Sequence, residues 1–369
     1  MNLMRYGIVG TGYFGAELAR VAAALPEGAV TRVYSPEHAI PLAQEVGAQV
    51  AADALEVCIA DDVEAVIVAS PNDVHVEPAL AAAAAGKHVF CEKPVALSYA
   101  DAASMVGAAR TAGVTFMAGH VTQFMHGVRE ARRRIADGEI GRLLVAQAAR
   151  TGWEPPAEQV SWKKMRERSG GHLFHHIHEL DLVLAVMGAA ERVVMSGGNL
   201  AHRGAGHGDE DDVLLAVLEH EDGSRSQLQW GSAYRWPEHH VTFQGTLGAI
   251  RVDLQDVGVT MRTERGTTTW PLHSSWAEDA ERREEYAAAS GGGGVTYGAP
   301  GARPPGWLRR IMREELEWFE DVVAGRLEPE RALAGLTDGQ AALTSIATAE
   351  ALTISLAEDR KVSTAEVSG

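Results

Sequence analysis

Residues 4–15 constrain this chain more tightly than any other stretch. An apolar run (Tyr6, Ile8, Val9) stops at Gly10, and Gly10, Gly12 and Gly15 fall in the spacing G-x-G-x-x-G. A helical pattern (Leu18, Val21, Ala22, Leu25) begins at once. In that order each glycine has a task. Gly10 permits a tight turn, Gly12 lets the backbone approach a pyrophosphate, and Gly15 lets strand and helix pack closely, while the open N–H groups of the helix start face an anion. With 39 glycines in 369 residues the triplet alone carries little, so its place between a strand and a helix supplies the specificity. Gly10, Thr11, Gly12, Tyr13, Phe14 and Gly15 are therefore the first candidate ligand contacts.

Up to residue 121 apolar runs at 29–34, 49–52, 65–69, 88–91 and 114–119 alternate with helical stretches such as 76–85 and 98–112. Short connections between them predict an α/β unit with a doubly wound parallel sheet, residues 1–121. Beyond it the pattern changes. Strand-like runs follow one another from 192 to 262, with Asp222-Gly223 and Gly245-Thr246-Leu247-Gly248 as hairpin turns. Residues 122–369 are thus expected to form an α+β domain with a large open, mainly antiparallel sheet. Within it 274–306, holding Gly291–Gly294 and Pro304-Pro305, reads as a mobile loop, and helices at 307–324 and 337–356 close the chain.

The 50 Asp and Glu against 33 Lys and Arg give a net charge of −17, which repels phosphate backbones and argues against nucleic acid as partner. The arginine runs 132–134 and 309–310 read as solvated helix faces. No long apolar span exists, and the chain enters a strand instead of a signal peptide, so membrane association is not expected. Cys58 and Cys91 are too few for a disulfide framework. The expected compartment is the cytoplasm.

In a parallel sheet the carboxyl ends of the strands border the ligand crevice, so the residues that follow each strand are the candidate contacts. Ser35 follows the second strand, where a dinucleotide's ribose is read; serine leaves room for a 2′-phosphate, yet no arginine follows it. NAD or NADP therefore both fit, with NAD ahead. Ser70, Pro71, Asn72 and His75 follow the buried fourth strand. Glu92, Lys93 and Pro94 follow the next, where an ammonium can hold a substrate hydroxyl and stabilise alkoxide character. Proline fixes the direction of the residue before it. Gln123, following a strand end, is a further candidate contact, and Trp153 and Trp162 are candidate apolar platforms for a ligand or ordinary core aromatics.

These motifs together resemble the Gfo/Idh/MocA oxidoreductases, named for glucose–fructose oxidoreductase and inositol dehydrogenase. The resemblance rests on the glycine turn, the Ser70–Asn72 loop, Glu92-Lys93-Pro94, Gly170-Gly171 before a histidine-bearing helix, Gly245–Gly248 and the closing Arg360-Lys361-Val362. It implies an N-terminal Rossmann domain, a nicotinamide cofactor, a sugar or cyclitol substrate, and homo-oligomers built through the C-terminal sheet.

The stretch 171–181, GHLFHHIHELD, departs from that family. Matching its His-x-x-Asp end puts the family's catalytic histidine on His178 and a structural partner on Asp181, but the family's aspartate falls on Phe174. The crowded imidazoles of His172, His175 and His176 then become candidates to replace that carboxylate, His175 in particular as a catalytic and substrate contact. A metal is also conceivable, because His172, His176 and Glu179 would share one helix face. No metal is expected by resemblance. The resemblance implies reversible hydride transfer, with His178 taking the hydroxyl proton and Lys93 holding the oxygen, the two facing each other across a cleft. It also implies an alternative: an NAD-dependent glycoside hydrolase that oxidises transiently, eliminates, and reduces again. The extra histidines suit the second chemistry, which needs more acid–base groups.

Overall fold

The computed structural model describes residues 3–256, 258–290, 302–327 and 333–369. Contacts divide the chain into two units, one of Met1–Val121 with Thr296–Leu343, the other of Thr122–Val295 with Thr344–Gly369.

The first unit carries a six-stranded parallel sheet of β1 (Met4–Val9), β2 (Gly28–Tyr34), β3 (Gln49–Val50), β4 (Ala65–Val68), β5 (His88–Glu92) and β6 (Phe116–Gly119). Their order is β3-β2-β1-β4-β5-β6, which reverses direction between β1 and β4 and so opens a crevice at their carboxyl ends. β4 is buried along its whole length because helices cover both faces, as its continuous apolar run requires.

Residues 296–343 go with this unit, not with the second domain that the linear pattern suggested. The return is made by helix Gly306–Val323, whose apolar stripe packs on helix Tyr13–Ala24 and on the sheet. Arg303 forks onto Glu17 at 2.9 and 2.6 Å, the Tyr6 hydroxyl donates to Glu320 at 3.0 Å, and Phe319 meets Phe90 edge-on at 5.9 Å. Periodicity orders elements along the chain and is silent about which sheet an amphipathic helix returns to.

Among its described residues the second unit carries nine strands: β7 (Leu143–Trp153), β8 (Ala190–Gly198), β9 (Val213–His220), β10 (Arg225–Gly231), β11 (Ala233–Gly245), β12 (Gly248–Asp253), β13 (Val259–Thr263), β14 (Gly266–Trp270) and β15 (Val362–Ser363). The order is β14-β13-β12-β11-β7-β10-β9-β8-β15, and only β7 and β10 pair in parallel. Asp222-Gly223 makes the β9–β10 hairpin, Gly223 taking φ +86°. Alternation buries Leu214, Ala216 and Leu218 on one face, where helix His178–Met187 lies across β7, and exposes Leu215 and Val217 on the other.

The expected loop 274–306 is in part a helix, Trp276–Ser290. Asp279 near its start accepts the backbone N–H groups of Leu272 and His273 at 2.8 and 2.9 Å, so the turn before the helix is fixed by a side chain. The glycine run 291–294 lies outside the described residues. No described helix is long and apolar enough to cross a membrane.

Candidate active site

In the first unit the glycine turn, the loop after β4 and the Glu92-Lys93-Pro94 segment follow three neighbouring strands and so share one carboxyl edge. Gly10 has φ +98°, and a Cβ there would lie 2.5 Å from the Ser70 nitrogen. A Cβ on Gly15 would lie 2.2 Å from the Gly10 oxygen. Gly12 differs: nothing lies within 4 Å of its missing Cβ. The backbone is thus open at Gly12, the cap of helix Tyr13–Ala24, which as glycine brings no side chain to the first turn. An opening lined by helix N–H groups fits a pyrophosphate.

Ser35 stands just past β2, half-buried. Glu37, which the sequence reading passed over, lies beside the turn, for its carbonyl accepts the Thr11 hydroxyl at 3.2 Å. Arg32 offers no cation there because its guanidinium is spent on Asp62 and Glu56 at 3.1 and 3.2 Å. Ser70 and Pro71 lead into the turn Asn72–Val74. His75 is not presented to a ligand: it is fully buried, with Nδ1 2.9 Å from the Pro94 carbonyl and Nε2 2.8 Å from that of Ser70. It bolts the β4 loop to the β5 loop, and burial holds its pKa down against those two carbonyls. The Lys93–Pro94 bond is cis. The Lys93 backbone N–H donates to Glu92 Oε2 at 3.2 Å.

In the second unit the expected single helix over 171–187 is two: Gly171–His175 and His178–Met187, broken at His176, which takes φ −111°, ψ +43°. The break gathers imidazoles. The His172 and His176 rings are 4.5 Å apart, those of His175 and His176 4.8 Å, and Trp162 meets His175 edge-on at 6.1 Å. Glu179 leaves this group, its Oε1 accepting from His239 at 2.7 Å and from Arg150 at 3.3 Å. The shared face that would have made a metal site is gone. Among the described residues no three His, Cys, Asp or Glu side chains are grouped to hold a metal ion.

Electrostatics fixes the charge of His176 and of Glu179. Burial holds the His176 pKa well below the usual imidazole value, with the charges of Arg150, His172, His175 and Lys164 acting in the same direction. His176 is therefore held neutral. Burial pushes the Glu179 carboxyl up, but Arg150 and His239 outweigh it and bring it to about 2. Lys164 bridges Glu154 at 2.5 Å and Glu210 at 2.7 Å, and Glu210 also approaches His172 at 3.7 Å. The acidic run 209–212 that supplies Glu210 escaped the sequence reading, although a run so dense after Gly208 was a signal. A Cβ on Gly208 would lie 1.8 Å from the Lys164 carbonyl, so the run docks by backbone contact.

Two expected substrate contacts are otherwise engaged. Gln123 is buried, its amide nitrogen donating to Asp181 at 2.6 Å and its oxygen accepting from Arg132 at 2.5 Å. Asp181 takes Ser345 as well, at 3.1 Å, so this is a structural knot, and Arg132 turns inward instead of joining a solvated face. The Trp153 ring is covered by the Arg235 guanidinium at 3.4 Å, with His202 at 4.8 Å. A cation already occupies the aromatic face that a sugar would need. Trp162, beside His175, is the aromatic that stays with the histidines.

A glycine-lined N–H cradle at the switch point of a parallel sheet, followed by Lys93 on the neighbouring strand edge, defines a nicotinamide-dinucleotide-dependent oxidoreductase. The model of the oxidoreductase family's NAD-binding Rossmann fold matches residues 4–120, and that of its C-terminal alpha/beta domain matches 132–364. The chain belongs to the Gfo/Idh/MocA family. It is 46% identical over 370 residues to 2,7-anhydro-N-acetylneuraminate hydratase of Mediterraneibacter gnavus, covering 100% of this chain and 99% of that one. The enzyme of that name from Escherichia coli is 45% identical over 367 residues, covering 99% and 98%. Among solved structures, levoglucosan dehydrogenase in complex with NADH superposes with a TM-score of 0.79 at 20% identity, covering 99% of each chain, a likeness of fold. The chain is an NAD(P)-dependent enzyme of this family.

Proposed function

We propose that this enzyme hydrates a 2,7-anhydro sugar acid of the N-acetylneuraminate type, oxidising it transiently and returning the hydride in the same turnover. The observation that carries this reading is the broken helix. A simple alcohol oxidation needs one group to take one proton, whereas opening an ether bridge and adding water requires protons to be removed and delivered at further atoms. The break supplies His175 and His176 next to each other, with His176 neutral and His172 behind it. The likeness over the full chain to two hydratases supports the substrate class.

The nicotinamide, when bound, accepts a hydride from the secondary alcohol and later gives it back. Lys93 holds the alcohol oxygen and its proton. His178 serves as the proton acceptor expected from its His-x-x-Asp motif. His175 and His176 remove the proton made acidic by the new carbonyl, then protonate the departing ether oxygen. The same imidazoles activate the water that enters. NAD is preferred over NADP, because Glu37 follows Ser35 with its backbone bonded to Thr11, and the guanidinium of Arg32, the arginine nearest along the chain, is taken by Asp62 and Glu56, leaving it no part in holding a 2′-phosphate. The exposed apolar pairs of the outer sheet face, with Val194 opposite Val217 and Leu215 on the same strand, support self-association through that sheet.

The test is incubation of 2,7-anhydro-N-acetylneuraminate in ¹⁸O-labelled water with substoichiometric NAD. One labelled oxygen should enter the product without reduced cofactor building up. Stoichiometric accumulation of reduced cofactor, or no product at all, would reject the hydration reading. Replacing Lys93 by Met should lower kcat at least about 100-fold at saturating cofactor. A variant within threefold of the parent would remove Lys93 from its role.

A further inference from the structure

A proton taken up by His176 during turnover cannot rest there. Burial disfavours the charged ring, and Arg150, His172, His175 and Lys164 add repulsion. Helix Gly171–His175 carries no acid of its own. The neighbouring ring is placed differently. His172 is 5% exposed, and neither of its nitrogens has a hydrogen-bond partner among the described residues. Buried polar groups are normally hydrogen-bonded, so a dry imidazole with both nitrogens idle needs a reason. The His176 backbone N–H donates to the His172 carbonyl at 3.0 Å, and the two rings lie 4.5 Å apart. His172 Nδ1 also stands 3.7 Å from Glu210 Oε1, just beyond a hydrogen bond. Backbone contacts deliver that acid. The Asp209 N–H donates to the Lys164 carbonyl at 3.1 Å, and Asp209 Oδ1 accepts the Arg166 N–H at 2.7 Å. Burial pushes the Glu210 carboxyl up, but the His172 imidazole and the Lys164 ammonium outweigh it and hold it below the usual range. Lys164 lies between Glu154 at 2.5 Å and Glu210 at 2.7 Å, so one ammonium faces two carboxylates. One negative charge is left over beside His172.

We propose that His172 and Glu210 form a proton store behind His176, holding the proton between its removal from the substrate and its delivery to the departing ether oxygen. The N–H bond of the His176 imidazolium breaks, and one forms at an idle nitrogen of His172 after a small turn of either ring. The new imidazolium then closes on the Glu210 carboxylate as a charge-assisted bond. The reverse transfer returns the proton to His176, so the count of protons is unchanged and no electron moves. Both residues act through His176 and are therefore positioning residues for its proton. The charged and titratable groups packed around the pair are Lys164 and Glu154, His175 and His176, and Arg150, itself paired with the Glu179 that also takes His239. Those nearest His176 are cations or imidazoles, which drive the proton off it. Glu210 is the acid that receives it. The inference rests on the acid–base role given to His176 above.

The first measurement needs neither substrate nor cofactor. The full-length chain has 15 histidines, and in the ring-¹⁵N-labelled protein His172→Phe and His176→Phe identify the two signals sought. As pH is lowered, His172 should become charged while His176 is still neutral. In Glu210→Gln the charging of His172 should move to lower pH by about one unit, since its counter-ion is gone. If His176 is charged first, or if the amide leaves His172 unmoved, there is no store. The second measurement is turnover of 2,7-anhydro-N-acetylneuraminate at saturating NAD. Glu210→Gln and His172→Phe should each lower kcat at least about tenfold at unchanged KM. The double variant should be no slower than the slower single one, because both break one path. Additive losses, or a His172→Phe kcat within about threefold of the parent, overturn the proposal. If His172→Phe does not fold, His172→Gln takes its place. A parent that yields no hydrated product would sink the hydration reading instead, and the order of charging would then decide the store by itself.

Discussion

Glu179 and Glu315 are each 1% exposed, one in the second unit and one in the first, and they carry opposite charge states. Burial pushes both carboxyls up. Against Glu179 stand the Arg150 guanidinium and a short hydrogen bond from His239, and the result falls to about 2. Against Glu315 stands only another carboxyl, and the result climbs. Depth therefore does not decide whether a buried acid is ionised; the sign of what it was buried against does. Each state has its use. The ionised Glu179 keeps Arg150 in place beside His176, which stays neutral, while the protonated Glu315 adds no second negative charge to that of Glu92.

The largest way to break this contrast is Glu179→Gln. It leaves Arg150 without its carboxylate, and removing one partner of a buried pair costs about 3 kcal/mol. Urea unfolding at pH 7 should show that loss as a lower midpoint at unchanged slope. The pH dependence carries a sign as well. Glu179 has a folded pKa below its unfolded value of about 4.3, so its stabilisation is complete above that value and fades as pH falls toward about 2. The parent should lose stability through that window more steeply than Glu179→Gln. A variant that parallels the parent there would show that Glu179 is not ionised.

Glu315→Gln should do the reverse, and more gently. The folded pKa of Glu315 lies above its unfolded value, so folding must keep a proton that the unfolded chain releases, and stability drains away as pH rises past about 4.3. The amide escapes this. Its melting temperature relative to the parent should climb from pH 4 to pH 8. A constant offset across that range would mean that Glu315 finds a counter-charge in solution.

The same contrast separates what could be read in the sequence from what could not. The glycine turn, the alternation through residue 121 and the Asp222-Gly223 hairpin are local, and the backbone obeys them. Lys93 was legible because Pro94 and the end of an apolar run mark its strand edge. Neither buried acid was legible. Glu179 meets Arg150 and His239 across 29 and 60 residues, and Glu315 feels the charge of Glu92 across a far longer gap by returning to the first unit. Gln123 misled for the same reason: its partner Asp181 lies 58 residues away, so a polar residue after a strand looked free to meet a ligand. His75 and Trp153 show the complement, polar and aromatic groups whose faces are spent on Ser70, Pro94 and Arg235. The break at His176 had no glycine or proline to announce it.

The smallest change sharpens the account of Glu179 by dividing its two partners. His239 is kept neutral by burial, which outweighs the hydrogen bond and charge of Glu179, so its Nε2 donates a neutral N–H. Glutamine can offer a similar N–H, and Arg150 keeps supplying the charge. His239→Gln should therefore cost no more than about 1 kcal/mol, the net worth of an ordinary hydrogen bond. One feature of the parent should also vanish. A histidine whose folded pKa is depressed resists protonation on folding, so stability rises with pH up to the unfolded value of about 6.5. The variant should lack that rise between pH 5 and 7. If instead the parent loses stability as pH climbs through this range and His239→Gln does not, His239 is charged in the folded state, and the ion that holds Glu179 down is an imidazolium as well as a guanidinium.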